Sequence, residues 1–296
     1  KTPVALFLCE RLLARGRKPG LLSRGYGRTS RFDLRVEATT PVAECGDEPM
    51  LLKRRSPGTR VYVGRDRSKL TPSAIAEGCD VLVLDDGLQH HELARDLDIV
   101  VIDAANPLGN GHVLPRGPLR EDLRAFDRVR SRGLLWFTRA DAATAHDPDL
   151  ELVQQRAHER GLAGPIQSQL AASGESLRGQ KVFALAAIAR PERFLDTLRG
   201  TGAELVGTAL FADHQQLTPG QLDDALSSAK RAGAQRVVVT EKDHVRLPPR
   251  SADALPIVPL RVDVQVLRGL DALDAALDRV LAGAPVITGR KLDGLP

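Results

Sequence analysis

Residues 81–91 read Val-Leu-Val-Leu-Asp-Asp-Gly-Leu-Gln-His-His, so four apolar residues lead directly into two adjacent carboxylates. An apolar run of this length is typical of a strand that is buried on both faces of a parallel sheet. Ligands bind beyond the carboxyl ends of such strands, which is where Asp85 and Asp86 would lie. The stretch therefore predicts an α/β fold with a site for magnesium and phosphates at one sheet edge. Alternatively, the two aspartates only cap the following helix.

Lys1 and Thr2 directly precede an amphipathic pattern that predicts a helix over residues 3–15. In a phosphate-binding loop, G-x-x-x-x-G-K-[ST], the lysine reaches the terminal phosphates and the hydroxyl binds magnesium. Only the Lys-Thr half of that loop is present in the printed sequence. Followed later in the chain by Asp85 and Asp86, it predicts a nucleotide-binding domain.

Apolar runs alternate with helical patterns over most of the chain, which predicts a mostly parallel sheet with helices on both faces, as in P-loop NTPases. We expect a nucleotide-binding domain over residues 1–150, a connector over residues 151–180 and a second, smaller α/β domain over residues 181–296. The strands are predicted at residues 20–22, 61–63, 81–84, 99–102, 134–137, 182–187, 237–240 and 257–262.

Composition excludes several classes of protein. The 296 residues include 42 basic and 38 acidic side chains, and a net charge of +4 is too small to indicate nucleic-acid binding. Aromatic residues make up 3% of the chain, which argues against a stacking platform for single strands. The three cysteines have neither disulfide-framework nor zinc-site spacing, and no apolar run is long enough to span a membrane.

Two further polar segments are ambiguous from their residues alone. Asp47 lies in the segment Gly-Asp-Glu-Pro at residues 46–49, which is typical of a surface turn but also offers a carboxylate for catalysis. His214 follows Asp213, and a carboxylate paired with a histidine suits removal of a proton from a hydroxyl group. A single histidine is more often an ordinary surface or core residue. The sequence does not show whether Asp47 and His214 meet.

A Gly- and Pro-rich loop over residues 106–121 ends in Arg120 and Glu121. Such loops line active sites, where the arginine would contact phosphate and the glutamate a metal ion. The alternative is a charge pair in the first turn of a helix. Arginines then recur every four residues, which predicts a helical stripe that faces either solvent or an anionic membrane surface. These are Arg116, Arg120, Arg124, Arg128 and Arg132, and the helical stripe would run from Arg120 onward.

Taken together, these segments resemble the tetraacyldisaccharide 4'-kinases, the lipid A 4'-kinases of Gram-negative bacteria. The resemblance runs in the family's order from residue 1 to about residue 247, and the Asp-Asp-Gly-Leu-Gln-His segment is its most specific part. The matching segments are Lys-Thr-Pro (1–3), Ser-Arg-Gly-Tyr-Gly (23–27), Gly-Asp-Glu-Pro (46–49), Asp-Asp-Gly-Leu-Gln-His (85–90), Gly-Asn-Gly (109–111), Gly-Pro-Leu-Arg-Glu (117–121), Asp-His (213–214) and Thr-Glu-Lys-Asp (240–243).

The resemblance implies that the γ-phosphate of ATP is transferred, with Mg²⁺, to the 4'-hydroxyl of an acylated glucosamine disaccharide 1-phosphate. The reaction would take place at the cytoplasmic face of the bacterial inner membrane, on a peripheral or monotopic enzyme. Lys1 would contact the β- and γ-phosphates, with Thr2 on the magnesium ion and Arg120 near phosphate. Asp85 would occupy the Walker B position, and Glu121 would contribute near the metal.

The same resemblance implies roles for residues around the acceptor. Asp47, supported by His214, would be the base for the 4'-hydroxyl, and Asp86 would join the catalytic group beside Asp85. Tyr26 and Arg24 would lie near the acceptor sugar. The family is also similar in having two α/β domains joined by a ribbon, which implies closure over ATP.

Two departures from the family pattern carry expectations of their own. The glycine half of the phosphate loop, the strand before it and an apolar N-terminal helix are not in the printed sequence, so this polypeptide is expected to fold poorly and to have little kinase activity. Gln215 stands where the family usually has a second histidine.

The competing hypotheses are a P-loop GTPase or metallochaperone-type switch, and an inactive remnant. A GTPase needs an Asn/Thr-Lys-x-Asp segment to recognise guanine. Lys242 and Asp243 are adjacent, with no residue between them, so their spacing argues against the GTPase hypothesis.

Overall fold

A computed structural model describes residues 1–129, 133–144, 146–213, 215–248 and 255–283. The helices are α1 (Thr2–Ala14), α2 (Val42–Cys45), α3 (Asp47–Arg55), α4 (Thr71–Ala76), α5 (Pro148–Glu159), α6 (Pro191–Gly200), α7 (Pro219–Arg231), α8 (Glu241–Arg246) and α9 (Leu270–Gly283). The strands are β1 (Pro19–Ser23), β2 (Leu34–Val36), β3 (Arg60–Val63), β4 (Val81–Leu84), β5 (Ile99–Asp103), β6 (Leu134–Thr138), β7 (Ala163–Ser173), β8 (Lys181–Ala186), β9 (Glu204–Leu210), β10 (Arg236–Thr240) and β11 (Ile257–Arg268).

The described strands form two sheets. A four-stranded sheet has the order β2-β3-β1-β4, and a seven-stranded sheet has the order β5-β6-β7-β11-β10-β8-β9. Two pairings are antiparallel, β2 with β3 and β7 with β11, and the other pairings are parallel. This arrangement confirms the predicted mostly parallel α/β class. Strands β4 and β5, which carry the apolar runs nearest the predicted site, are each the edge strand of a sheet.

Helix α1 connects the two sheets through its apolar face. Val4, Leu8 and Leu12 recur every four residues and lie in one core cluster with Trp136 of β6, and Val83 of β4 packs against the same cluster. On the polar side of α1, arginines form ion pairs with aspartates of α9. The contacts are Arg11 to Asp274 at 2.5 Å, Arg15 to Asp274 at 2.7 Å and Arg15 to Asp278 at 3.0 Å. The beginning and the end of the described chain are therefore packed together.

The interpretation of residues 151–180 as a connector is wrong at the level of secondary structure. This segment contains most of α5 and all of β7, which pairs with β6 on one side and β11 on the other. Few of the β7 residues are fully buried, and Ile166 and Ser168 are the ones that point into the core. Because that alternating pattern contains few large apolar residues, it does not stand out in the sequence. The division into domains at the expected boundaries stays a prediction.

The predicted arginine-striped helix is also wrong. Residues Leu123–Arg128 form a short 3-10 helix, whose N-cap Asp122 accepts a hydrogen bond from the backbone of Arg124. Its arginines form ion pairs with different carboxylates, Arg124 with Asp122 and Arg128 with Glu121, and do not form a stripe on one helix face. Arg132 lies outside the described residues.

None of the described helices is long and apolar enough to cross a membrane.

Candidate functional site

Strand β4 ends in the two carboxylates that the sequence singles out. Asp85 is 7% exposed, and its backbone N–H still belongs to the sheet, because it donates to the Leu22 carbonyl at 3.0 Å. Asp86 has a φ of 53°, a left-handed conformation that aspartate tolerates better than most residues. The strand therefore stops between them, leaving Asp85 buried and Asp86 partly open to solvent.

Three distant segments meet at the Asp86 carboxylate. The Lys1 ammonium, just before α1, donates to Oδ1 at 2.5 Å, and Arg120 from the 106–121 loop donates to Oδ2. The neighbouring Glu121 accepts from Gln89 Nε2 at 3.1 Å and from Arg128. The structure thus brings together the residues that the sequence predicted to converge, while their roles stay predictions. Thr2, the next residue after Lys1, begins α1.

The electrostatic environment differs sharply between the two aspartates. Burial raises the pKa of Asp85, and the nearby carboxylates of Glu48 and Asp86 raise it further. Burial also acts to raise the pKa of Asp86, but the hydrogen bonds from Lys1 and Arg120 outweigh it and leave that pKa below its ordinary value. A set of carboxylate oxygens suits Mg²⁺, and the two basic groups suit phosphate oxygens. The residues present therefore fit a magnesium-bound triphosphate.

Arg67 belongs to this site and was missed by sequence reasoning. It is 6% exposed, and its Nη1 donates to the carbonyl oxygens of both Asp85 and Asp86 at 3.0 Å. Burial lowers the pKa of the guanidinium, with Arg24 contributing as a nearby like charge. Arg67 therefore fixes the backbone turn that presents Asp86. It lies in no motif that could have indicated this contact.

A cavity of about 940 Å³ opens next to these groups. Lys1, Asp86 and Glu121 line it together with the apolar residues of β4 and β5, so the two sheet edges form part of its walls. A cavity of this size falls in the range of small-molecule sites.

Asp47 begins helix α3 and is held by helix α8. Arg246 Nη1 donates to the Asp47 carboxylate at 3.2 Å, and its Nη2 donates to the Ala187 carbonyl at 2.6 Å and to Asp243. Beside it, Lys242 pairs with Glu48 at 2.7 Å. Helix α8 therefore anchors both acidic residues of the 46–49 turn. The sequence indicates each segment but not the contact, which joins residues 199 positions apart.

The structure gives different amounts of information about the three remaining predicted site residues. Tyr26 is 82% exposed, and a Cβ on Gly46 would lie 3.0 Å from the Tyr26 carbonyl oxygen, so the loop of Tyr26 packs against the turn before Asp47. Arg24 is exposed and lies near Arg67. His214 lies outside the described residues, so its expected support of Asp47 stays a prediction.

A family model described as tetraacyldisaccharide-1-P 4'-kinase matches residues 1–282. The chain belongs to this kinase family. A tetraacyldisaccharide 4'-kinase of Anaeromyxobacter sp. (strain K) is 47% identical over 96% of this chain and 79% of its own length. The one from Stenotrophomonas maltophilia (strain R551-3) is 41% identical over 89% of this chain and 75% of its own length. These findings confirm the predicted family.

The fold agrees with a solved member of the same kinase family. The crystal structure of LpxK from Aquifex aeolicus, an "apo" form in complex with ATP, matches with a TM-score of 0.69 at 23% identity. The match covers 94% of this chain and 83% of that chain. Family membership confirms that the chain is a phosphotransferase acting on a hydroxyl group. It also argues against a GTPase switch. Asp243 supports this conclusion, because it is 1% exposed and accepts from Thr240 Oγ1 at 2.7 Å, and is therefore not accessible to a guanine base.

Proposed function

We propose that this chain uses ATP and Mg²⁺ to phosphorylate the 4'-hydroxyl of an acylated glucosamine disaccharide 1-phosphate in lipid A biosynthesis. The observation that carries the proposal is the contact of Lys1 and Arg120 with Asp86 at the mouth of the cavity. It gathers two phosphate-binding cations and a carboxylate from three separate segments. The acceptor follows from the activity for which the family is named.

The nucleotide end of the cavity is assigned to the groups around Asp86. Lys1 and Arg120 bind phosphate oxygens, and Asp86 keeps both cations oriented before the nucleotide arrives. Thr2, Asp85 and Glu121 are assigned to Mg²⁺, which neutralises charge on the phosphate oxygens when bound. The raised pKa of the crowded Asp85 supports this assignment, because a cation would relieve the repulsion among the buried carboxylates.

The acceptor end is assigned to Asp47. In this proposal Asp47 takes the proton of the 4'-hydroxyl, supported by His214, while Arg246 fixes the direction of the carboxylate. Tyr26 and Arg24 contact the acceptor sugar. The packing of the Tyr26 loop against the turn before Asp47 supports a shared acceptor pocket.

We further propose that the chain acts as a peripheral protein on the anionic cytoplasmic face of the inner membrane. The 106–121 loop exposes two apolar side chains, Val113 at 41% and Leu114 at 62%, close to the exposed Arg116. An exposed apolar tip beside a cation suits an anionic lipid surface. Pelleting with anionic vesicles tests this: Leu114→Asp should weaken binding, and unchanged binding would contradict the proposal.

Kinetics of Asp47→Ala test the assigned chemistry. Because a base acts in the transition state, we expect kcat for the disaccharide to fall by about 10²-fold or more, with little change in the KM for ATP. Asp196→Ala, which removes an aspartate that is 72% exposed on α6, is the matched control and should keep wild-type kinetics. Loss of ATP affinity with kcat intact would show that Asp47 binds the nucleotide instead.

The assay is run on the 296-residue chain and on a version extended before Lys1 by the glycine-rich loop that the family resemblance implies. If neither protein phosphorylates the disaccharide, the proposed function is wrong.

A further inference from the structure

A second group of possible metal ligands lies on the other side of the Asp85–Asp86 turn. Asp66 caps the 3-10 helix Arg67–Leu70, while His90 and Glu92 belong to the loop after β4. One ligand atom from each of these three residues lies within 4.8 Å of the other two. The group thus combines one imidazole and two carboxylates from two separate loops.

The imidazole of His90 is buried without a hydrogen-bond partner. His90 is 8% exposed, and its Nε2 is shielded from solvent and contacts no donor or acceptor among the described residues. A buried polar atom without a partner destabilises the folded state, so such an atom in a folded protein needs an explanation.

The two carboxylates are less buried than His90, since Asp66 is partly buried and Glu92 is exposed. Asp66 Oδ1 accepts from the backbone and hydroxyl of Ser68 at 3.0 and 2.5 Å, and the Lys69 ammonium lies 3.9 Å from Oδ2. Oxygen atoms of the Asp66 and Glu92 carboxylates lie within 4.8 Å of each other. Two negative charges at this distance repel each other, and a divalent cation between them removes that repulsion.

We propose that Asp66, His90 and Glu92 bind a divalent transition-metal ion of the Zn²⁺ class. A nitrogen ligand with two carboxylate oxygens suits Zn²⁺ or Co²⁺, whereas Mg²⁺ prefers oxygen ligands alone. Ligand atoms around tetrahedral zinc lie roughly 3.3 Å apart, given bond lengths of about 2.0–2.2 Å. The exposed Glu92 is free to rotate and close the remaining gap.

The ion has a structural consequence for the kinase site. Arg67 directly follows Asp66 and holds the carbonyls of Asp85 and Asp86, and the His90 N–H closes a turn onto Gly87 at 2.9 Å. A bond from the metal to both loops therefore restrains the turn that presents Asp86. This site is separate from the one assigned to Mg²⁺, and its test needs neither ATP nor the disaccharide.

Cobalt titration of the full 296-residue chain tests the site. Excess Mg²⁺ is present to fill oxygen-only sites, and binding is followed by the d–d absorption of Co²⁺ and by calorimetry with Zn²⁺. We expect one equivalent to bind, without the charge-transfer band of a thiolate ligand, and Zn²⁺ to displace Co²⁺. Glu92→Gln changes an exposed side chain and should weaken binding at least tenfold, as should His90→Gln.

The controls separate this site from its neighbours. His91→Gln removes the adjacent exposed histidine, and Glu121→Gln alters a residue assigned to Mg²⁺, so both variants should bind Co²⁺ as the wild type does. Zn²⁺ should raise the Tm of the wild type but not that of Glu92→Gln. Wild-type binding by Glu92→Gln, loss of binding in either control, or no stoichiometric binding at all would overturn the proposal, even if His90→Gln fails to fold.

Discussion

At the scale of single residues, the adjacent aspartates have opposite effects on the stability of the ligand-free chain. The raised pKa of Asp85 means that its charged form is less stable in the folded than in the unfolded state. The lowered pKa of Asp86 means the reverse, because Lys1 and Arg120 stabilise its charge. Asp85, whose charge lowers the stability of the fold, is therefore one of the residues assigned to Mg²⁺. Residues that a site needs for function often reduce stability in this way.

We expect Asp85→Asn to raise the free energy of unfolding at neutral pH by about 1 kcal/mol, and Asp86→Asn to lower it. Both variants should lose kinase activity. The gain from Asp85→Asn should shrink as the pH falls through the folded-state pKa of Asp85, because the wild-type carboxyl then becomes neutral. The stabilisation from Asp86 is present above its unfolded pKa and is lost as the pH falls through its lower folded pKa. Urea denaturation across this pH range checks both signs, and a destabilised Asp85→Asn would contradict the argument.

At the scale of elements, helix α8 holds helix α3 through two ion pairs that differ in burial. Arg246 is 7% exposed and contacts Asp47 and the buried Asp243, whereas the Lys242–Glu48 pair is 31% and 37% exposed. Removing one partner of a buried pair leaves an unpaired charge, but a solvated pair contributes little.

Arg246→Met should therefore cost about 3–5 kcal/mol of unfolding free energy, and Lys242→Met less than about 1 kcal/mol. Arg246→Lys keeps the charge but cannot reach all three acceptors, so we expect a lower kcat with an unchanged KM for ATP. Equal unfolding midpoints for the two methionine variants, compared in urea, would show that burial does not set the strength of these contacts.

Local sequence patterns predicted the helices and strands in which they occur, but not the contacts between those elements. The buried run at Val81–Leu84 and the four-residue spacing in α1 correctly predicted a strand and a helix, because burial on both faces or one face leaves a periodic signal. Strand β7 was missed because much of its surface is exposed. Arg67 donates to the backbone carbonyl of Asp85, and such a contact does not depend on which residue type stands at position 85. The sequence therefore could not indicate it.

At the scale of the whole molecule, the cavity lies between one edge strand of each sheet, and both edge strands contribute apolar side chains to its walls. Strands β4 and β5 are edge strands, and they line the cavity with Val83 and Val101 among other apolar residues. Their residues are mostly only half-buried, although the parallel β1 and β8 are buried almost throughout. Among the described residues, the outer backbone groups of β4 and β5 have no strand partner, which matches the requirements of an additional parallel strand.

We therefore expect a version extended before Lys1, by the strand and glycine-rich loop that the family resemblance implies, to be more stable than the 296-residue chain. A strand paired with both β4 and β5 would join the two sheets and bury the apolar walls of the cavity, which raises the Tm and the urea m-value. Hydrogen exchange should show new protection at the amides of β4 and β5. The control carries the same extension with Gly and Ser in place of its apolar strand residues, and it should leave those amides unprotected. Equal protection in both versions, or in neither, would show that the cavity does not accept a strand.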